Sequence, residues 1–422
     1  MLLVPLILFL QIADQANSQT QKENTNPCGQ LYLTQSPNKK KNIQLNWNFN
    51  CDDPPDTILL TLNDIRTNPN AQVLYTILPR SVFRGYHETP FTLKDAPFPG
   101  NWTEDNSNPD LNAGCFDYYI ASAKGDKIIH SQCLSIQPTW MSNFGDLRIG
   151  DLMIPGTHNS GAWKGAPLLI RNYVLNQDKS IWQQLVYGIR YFDIRVGRYG
   201  NTSDGSRLYI NHAFIKCTEL LPELQSAATF IRKSPKEVII LDFHRFPYPN
   251  DFKIQYHNEV VRMIQSVFGD LIYPFYRMTH TRGPKLKEFW LTKQRVVIAH
   301  RNKEMSRVAT FLWPSVARDW GDVQKVQDLE TYVKYVSESA APGNPMRVLM
   351  AELTPSYVSV LKHVTRNLKD LAVMVNRELS DWVRQNNRSA NLNIVATDFF
   401  TGNDIINVAI ESNFKRLTNF YT

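Results

Sequence analysis

Two histidines, an arginine and several carboxylates fall at or near the ends of short apolar stretches in this 422-residue chain. Met153-Ile-Pro-Gly-Thr-His-Asn-Ser-Gly161 contains His158 and Asn159. Gly188-Ile-Arg-Tyr-Phe-Asp-Ile-Arg-Val196 carries Asp193 and Arg195, and Leu208-Tyr-Ile-Asn-His-Ala-Phe214 carries His212. One imidazole can take a proton while a second gives one. A guanidinium can hold the charge that builds on a phosphorus centre. Cleavage of a phosphodiester needs such a set.

The elements that must position these residues come in two textures. From about Gln30 to Gln137 there are short strands and no helix pattern. Ile43 to Phe49 alternates apolar and polar, and Lys124-Gly-Asp126 reads as a turn between two strands. This predicts an all-β, sandwich-like N-terminal domain over 19–139. From Trp140 onward strands alternate with helices, the mark of a parallel α/β sheet. Helices are expected at Ser180–Tyr187, from Thr218 as cap to Ile231, at Asn258–Phe268 and over Tyr357–Arg384. About eight strands, one of them ending in His212, suffice for a distorted TIM-type (β/α) barrel over 140–422. Such a barrel gathers its strand tips at one mouth. The tips offer His158, Asp193, Arg195, His212, Asp242, His244, Arg301, Glu352 and Asp398.

Composition narrows the setting. Net charge is +7. Residues 20–140 hold 10 Lys+Arg against 12 Asp+Glu, and residues 141–422 hold 36 against 26. The basic excess lies with the histidines and favours an anionic partner such as a peripheral membrane surface. No basic stripe interleaved with aromatics points to nucleic acid. Residues 1–18 read as a signal peptide, so the mature chain is expected to be secreted. Five cysteines suit that compartment. Cys28–Cys51 and Cys115–Cys133 are the favoured pairs, each flanking a hairpin. Cys217 reads as a buried thiol or an inter-chain partner. Asn101, Asn201 and Asn387 head glycosylation sequons. No Cys/His spacing suggests a metal site.

Ile154 to Ser160, then Gly188 to Arg195, then Asn211-His212, resembles the X domain of phosphatidylinositol-specific phospholipase C. The resemblance runs from about Trp140 to the end. It implies a distorted TIM barrel that attacks the phosphodiester with the inositol 2-hydroxyl, releasing diacylglycerol and leaving a cyclic phosphate. It implies His158 as general base, His212 as general acid and Asp398 as the carboxylate orienting His158. Arg195 matches the arginine that replaces calcium in the metal-independent branch, with Asp193 holding it or sitting beside the phosphate. The implied partner is a phospholipid, phosphatidylinositol or a glycosylated derivative. Asn159 stands where calcium-dependent relatives place a ligand, but Arg195 puts a positive charge in that site, so calcium is disfavoured and no obligatory cofactor is expected. His244 reads equally as a substrate contact or a packed core residue. Arg301, Glu352, Asp319 and Trp320 are head-group candidates by strand position.

Two other functions compete. A phospholipase D or glycerophosphodiesterase of related barrel type would want acidic residues around Mg2+, against which Arg195 argues. A catalytically inactive barrel that binds lipid or protein would need none of this chemistry, yet both histidines, Arg195 and Asp398 are present.

Overall fold

The computed structural model describes residues 28–37, 40–79, 83–93, 96–200, 208–339, 346–355 and 367–419, the side chains of 386, 387 and 419 excepted. The leader segment 1–18, the Asn201 sequon, the side chain of Asn387 and the first part of the expected Tyr357–Arg384 helix lie outside them.

The chain divides into two units. The first takes its described strands from before 136: β1 (Gly29–Gln35), β2 (Asn42–Phe49), β3 (Thr57–Leu62), β4 (Gln72–Ile77), β5 (Arg84–Thr92), β6 (Cys115–Lys124) and β7 (Lys127–Ser135). They form two antiparallel sheets, β1-β2-β5 and β4-β3-β6-β7. β1 packs against β6 and β7 of the other sheet. The alternation along β2 does mark two faces, but both are buried. On its polar face Thr34 donates to Gln44 Oε1 at 3.2 Å, and Asn46 donates to Thr34 Oγ1 at 3.0 Å. Cys28 pairs with Cys51 and Cys115 with Cys133, while Cys217 is a buried free thiol.

The second unit takes residues 36–41, 94–114 and everything from 136. Trp102, 1% exposed, anchors the 94–114 segment there with its ring 5.7 Å from that of Phe230. The sheet of this unit contains eight parallel strands: β8 (Ile154–Thr157), β9 (Tyr191–Arg198), β12 (Ile239–Tyr248), β13 (Val296–His300), β14 (Trp313–Pro314), β15 (Ala317–Trp320), β16 (Arg347–Met350) and β17 (Ile394–Thr397). Their order, β14-β13-β12-β9-β8-β17-β16-β15, is the cyclic order of a barrel. The expected ring is not closed by hydrogen bonds, however. Among the described residues no ladder joins β14 to β15, so the sheet is curled and open at one seam. Two further expectations are corrected. The His212 strand, β10 (Leu208–His212), is no member of the parallel set; it runs antiparallel to β9 and forms a hairpin with β11 (Ile215–Glu219). The region 313–320, read as one unclear element, supplies two strands instead.

Helices lie between the strands: α1 (Ile181–Tyr187), α2 (Leu220–Lys233), α3 (Ile254–Phe268), α4 (Leu286–Thr292), α5 (Lys303–Val308), α6 (Val326–Glu338), α7 (Leu368–Arg384) and α8 (Ile405–Asn419). Ser180 and Gln183 form a capping box that starts α1. Thr218 does not cap α2; it sits in β11, and its hydroxyl donates to the Gly161 carbonyl at 2.9 Å.

Alternation along the parallel strands separates two cores. Ile154, Tyr191, Ile240, Val297, Val348 and Ile394 face inward onto a floor of Trp140, Phe144, Leu147 and Phe289. Met153, Leu349, Leu353 and Val395 face outward onto α6, α7 and α8. One buried ion pair ties the bottom of this sheet. Arg190 Nε donates to Glu237 Oε2 at 2.7 Å, and Arg190 also reaches the carbonyls of Pro138, Leu185 and Ile189. Glu237 Oε1 accepts from the Met141 amide at 3.0 Å. Both side chains are essentially excluded from solvent. Removing one partner strands a buried charge. Glu237→Ala should therefore lower unfolding stability by about 3–5 kcal/mol in denaturant titration; a loss under about 1 kcal/mol would show that the pair does not pin β9 to β12.

Candidate active site

The inward face changes character at one level on every strand except the short β14. Below it the side chains are apolar. Above it stand His158, Asp193 and Arg195, Asp242 and His244, Arg301, Arg318, Glu352 and Asp398. These tips meet at a cavity of about 610 Å³, whose lining includes His158, Arg195, His212, His244, Arg301, Arg318, Glu352 and Asp398.

The turn after β8 is built by close packing. A Cβ on Gly156 would lie 2.7 Å from the Tyr191 ring, and one on Gly161 would lie 2.3 Å from Ile210. Thr157 and Ser160 bond to each other at 2.7 Å, and Ser160 Oγ accepts the Asp193 amide at 2.9 Å. This holds β8 and β9 in register just below the site. The residues following His158, His212 and Asp398 share a left-handed backbone: Asn159 at φ +43°, Ala213 at +48° and Phe399 at +46°. Asn accepts that region readily, whereas Ala and Phe do not. Each turn redirects the chain immediately beyond a polar tip.

Asp193 is the hub. Its Oδ2 accepts from the Asn159 amide at 2.9 Å and from Arg195 Nη2 at 3.1 Å. Its Oδ1 accepts from Arg318 Nη2 at 3.3 Å. His244 Nδ1 lies 2.5 Å from the same oxygen, at an angle poor for a hydrogen bond. Burial opposes the charge on Asp193, but His244, Arg195 and Arg318 hold the carboxyl well below its ordinary range. Asp242, beneath it, is pushed up to about 6 by burial.

His158 donates from Nδ1 to Asp398 Oδ1, 2.8 Å away. Its bare Nε2 receives Arg195 Nη2 at 2.5 Å. This is the neutral tautomer with its basic nitrogen turned to the guanidinium. Burial opposes protonation of the ring, yet Glu352, with Oε1 3.9 Å from Nε2, and Asp398 outweigh it and raise the pKa above 6.5. Glu352, raised to about 7 by burial, competes for the same proton. His212 differs. Its Nδ1 donates to the Val174 carbonyl at 2.7 Å, leaving Nε2 for the cavity. Burial, then the charges of Arg195 and His158, lower it to about 4.

The remaining expected residues divide. His244, Arg301 and Glu352 line the cavity. Asn159 is fully buried, is not among the lining residues, and donates to Asn176 Oδ1 at 3.0 Å. Trp320 lines the cavity, but Asp319 pairs with Arg347 and does not. Arg318 lies one residue earlier on the inward parity. The polar Ala317-Arg-Asp-Trp320 stretch offered no apolar run to identify it as a strand. Asn176, also missed, donates to Asp398 Oδ2 at 3.1 Å from a loop without periodic pattern. The donors do not suit calcium, which takes roughly six to eight oxygens. Both Asp193 oxygens already meet guanidinium groups, and Asn159 is fully buried outside the cavity lining.

No protein-family model matches the chain. Human PI-PLC X domain-containing protein 1 is 26% identical over 320 residues, covering 68% of this chain and 95% of that protein. Mouse PI-PLC X domain-containing protein 2 is 27% identical over 307 residues, covering 65% and 87%. Phosphatidylinositol-specific phospholipase C from Listeria monocytogenes superposes with a TM-score of 0.51 at 19% identity, covering 65% of this chain and 98% of that one. The chain is thus similar in sequence to the X-domain proteins and similar in fold to the bacterial enzyme.

Ring NMR titration should separate the two imidazoles. His212 is expected to stay neutral down to about pH 4, while His158 takes its proton above 6.5. Unfolded His212 would protonate near 6.5, so acidification from there toward about 4 should cost stability. Asp398→Asn removes a charge that favours the imidazolium and should lower the His158 midpoint. A His212 midpoint near 6.5 would contradict this electrostatic picture.

Proposed function

We propose that the chain is a secreted phospholipase-C-type phosphodiesterase acting on a lipid of the phosphatidylinositol class without a metal ion. The observation that carries the reading is the convergence of His158, His212 and Arg195 on one cavity, with Arg195 Nη2 touching His158 Nε2. The likeness to X-domain proteins supports the lipid class. Two disulfides support an oxidising compartment. No described helix is long and apolar enough to cross a membrane. Asn101 is exposed, as a glycan acceptor must be.

In this mechanism Arg195 swings from His158 Nε2 to a phosphate oxygen, where its planar fork suits the charge. The freed Nε2 takes the proton of the inositol 2-hydroxyl, and Asp398 steadies the imidazolium through Nδ1. The 2-oxygen bonds to phosphorus as the bond to the glycerol oxygen breaks. That oxygen leaves with a proton from His212 Nε2. Burial, then Arg195 and His158, disfavour that proton on His212. A bound phosphodiester brings a negative charge that offsets Arg195 and restores the proton to the ring. Asp193 keeps Arg195 aimed throughout, and Glu352 and Arg301 remain as contacts for the head group. A metal-free step agrees with the cationic surroundings of Asp193.

Product analysis on mixed phospholipids with EDTA tests the reading. Diacylglycerol and inositol cyclic phosphate should form at an unchanged rate. Phosphatidic acid or free head group would favour the phospholipase D class, and absence of turnover would favour a binding barrel. His158→Ala and His212→Ala should each cost at least ~10²-fold in kcat. An unchanged rate would remove that residue from its role.

A further inference from the structure

The carboxylate beside His158 is itself held from its far side. Asp398 Oδ1 accepts the His158 Nδ1 proton at 2.8 Å, and Oδ2 accepts from Asn176 Nδ2 at 3.1 Å. Asn176 Oδ1 in turn accepts from Asn159 Nδ2 at 3.0 Å. Asn159, Asn176 and Asp398 are all buried. A chain of donors thus runs from Asn159 through Asn176 to the carboxylate that His158 meets. Charge sets its sense. An ionised carboxylate only accepts, so Asn176 must turn its NH2 to Asp398 and its carbonyl to Asn159. Asn159 must then present its own NH2, which leaves its Oδ1 buried with no donor among the described residues. An unpaired buried oxygen opposes folding, so stability alone does not account for the arrangement.

The main chain around Asn176 grips the same place. Its carbonyl accepts the Phe399 amide at 2.8 Å, so one residue holds Asp398 by its side chain and the next residue by its backbone. The Asn176 and Gln177 amides both donate to the Ala162 carbonyl, at 3.0 and 3.1 Å. Gln177 Nε2 donates to the carbonyls of His158 and Thr397, at 2.9 and 2.8 Å, and so joins the ends of β8 and β17. A carboxylate with one oxygen free can turn, because its terminal torsion is broad and roughly two-fold. With Oδ2 held, Oδ1 stays on Nδ1 and the ring keeps the tautomer that leaves Nε2 bare. Asn176 Nδ2 also lies 3.4 Å from His158 Nδ1. That nitrogen already gives its proton to Asp398, so the amide packs against the ring and is not bonded to it.

We propose that Asn176 is a positioning residue for the His158–Asp398 pair, fixing the carboxylate through Oδ2 and anchored in turn by Asn159. The inference rests on the phosphodiesterase reading for its effect on turnover, but the geometry it sets is measurable without substrate.

The test compares the full mature chain with Asn176→Ala and Asn176→Ser, each below its thermal midpoint. One readout is the low-field NMR resonance of the His158 Nδ1 proton, identified by its absence from His158→Ala. The other is steady-state kinetics on phosphatidylinositol in detergent micelles. In Asn176→Ala the resonance should broaden by exchange with water, and kcat should fall about tenfold or more. KM should change by less than about twofold, because the lost interaction is not one with bound substrate. Asn176→Ser keeps a donor and should restore part of both. An unaltered resonance and kcat in Asn176→Ala overturn the proposal. So does a raised KM with kcat intact, which would make Asn176 a head-group contact, and so does a serine variant no better than alanine. A wild type without a His158-dependent low-field resonance overturns it too. Should Asn176→Ala not fold, Asn159→Ala removes the anchor instead: its resonance should broaden, and a sharp one overturns the proposal. Broadening in a chain that turns over no phospholipid supports the positioning role and removes the phosphodiesterase reading alone.

Discussion

A single carboxylate with no solvent contact, Asp193, governs the arrangement of the site. It lies among Arg195, Arg318 and His244, and receives the Asn159 amide as well. Two guanidinium groups so close would drive each other apart if the charge between them were absent. The carboxylate in turn would be costly to bury without them. Each makes the other tolerable. Because Arg195 is held in this way, it reaches His158 Nε2; because Arg318 is held, it closes the side of the cavity formed by β15. The Asn159 amide ties the same carboxylate to the turn after His158, so β8 and β9 share one electrostatic anchor.

That anchor works only above a rigid floor. The inward side chains of the parallel strands are apolar up to Tyr191, Ile240, Met350 and Ala396, and ionisable beyond them. Packing below fixes strand height, and strand height fixes which groups meet. The Arg190–Glu237 pair secures the same strands from the opposite end. A sheet open between β14 and β15 can tolerate its missing ladder because the floor, including Trp313, fills the interior across the seam.

Much of this was readable in the residues. Period-two reasoning placed His158, Asp193, Arg195, Arg301, Glu352 and Asp398 at strand tips, and the cavity contains or overlies all of them. It failed where the pattern carries no direction. The alternation in Leu208–His212 marks a strand but cannot say that it runs antiparallel, outside the barrel order. Arg318 sits on a four-residue strand too polar to announce itself, so its neighbour Asp319 was chosen although it faces Arg347 instead. Asn176 lies in a loop whose position depends on tertiary contacts. The left-handed turns at Ala213 and Phe399 leave no trace, since neither residue type favours them.

The two histidines show how the fold differentiates identical side chains. His158 faces Glu352 and Asp398, whose charges outweigh its burial, whereas burial and then the positive charges of Arg195 and His158 act on His212. One ring is therefore drawn toward protonation and the other is driven from it. An acid–base pair needs such a separation, yet its sense here looks inverted, because the proposed acid is the ring that lacks a proton. The inversion follows from the burial of His212 and from the positive charge of Arg195 beside it. Arg195 also occupies the nitrogen that the proposed base must use. In the proposed reaction an arriving phosphate would correct both conditions at once, drawing the guanidinium off His158 and offsetting its charge at His212. The anion to be cleaved would thus bring the two imidazoles into their working states in that reaction.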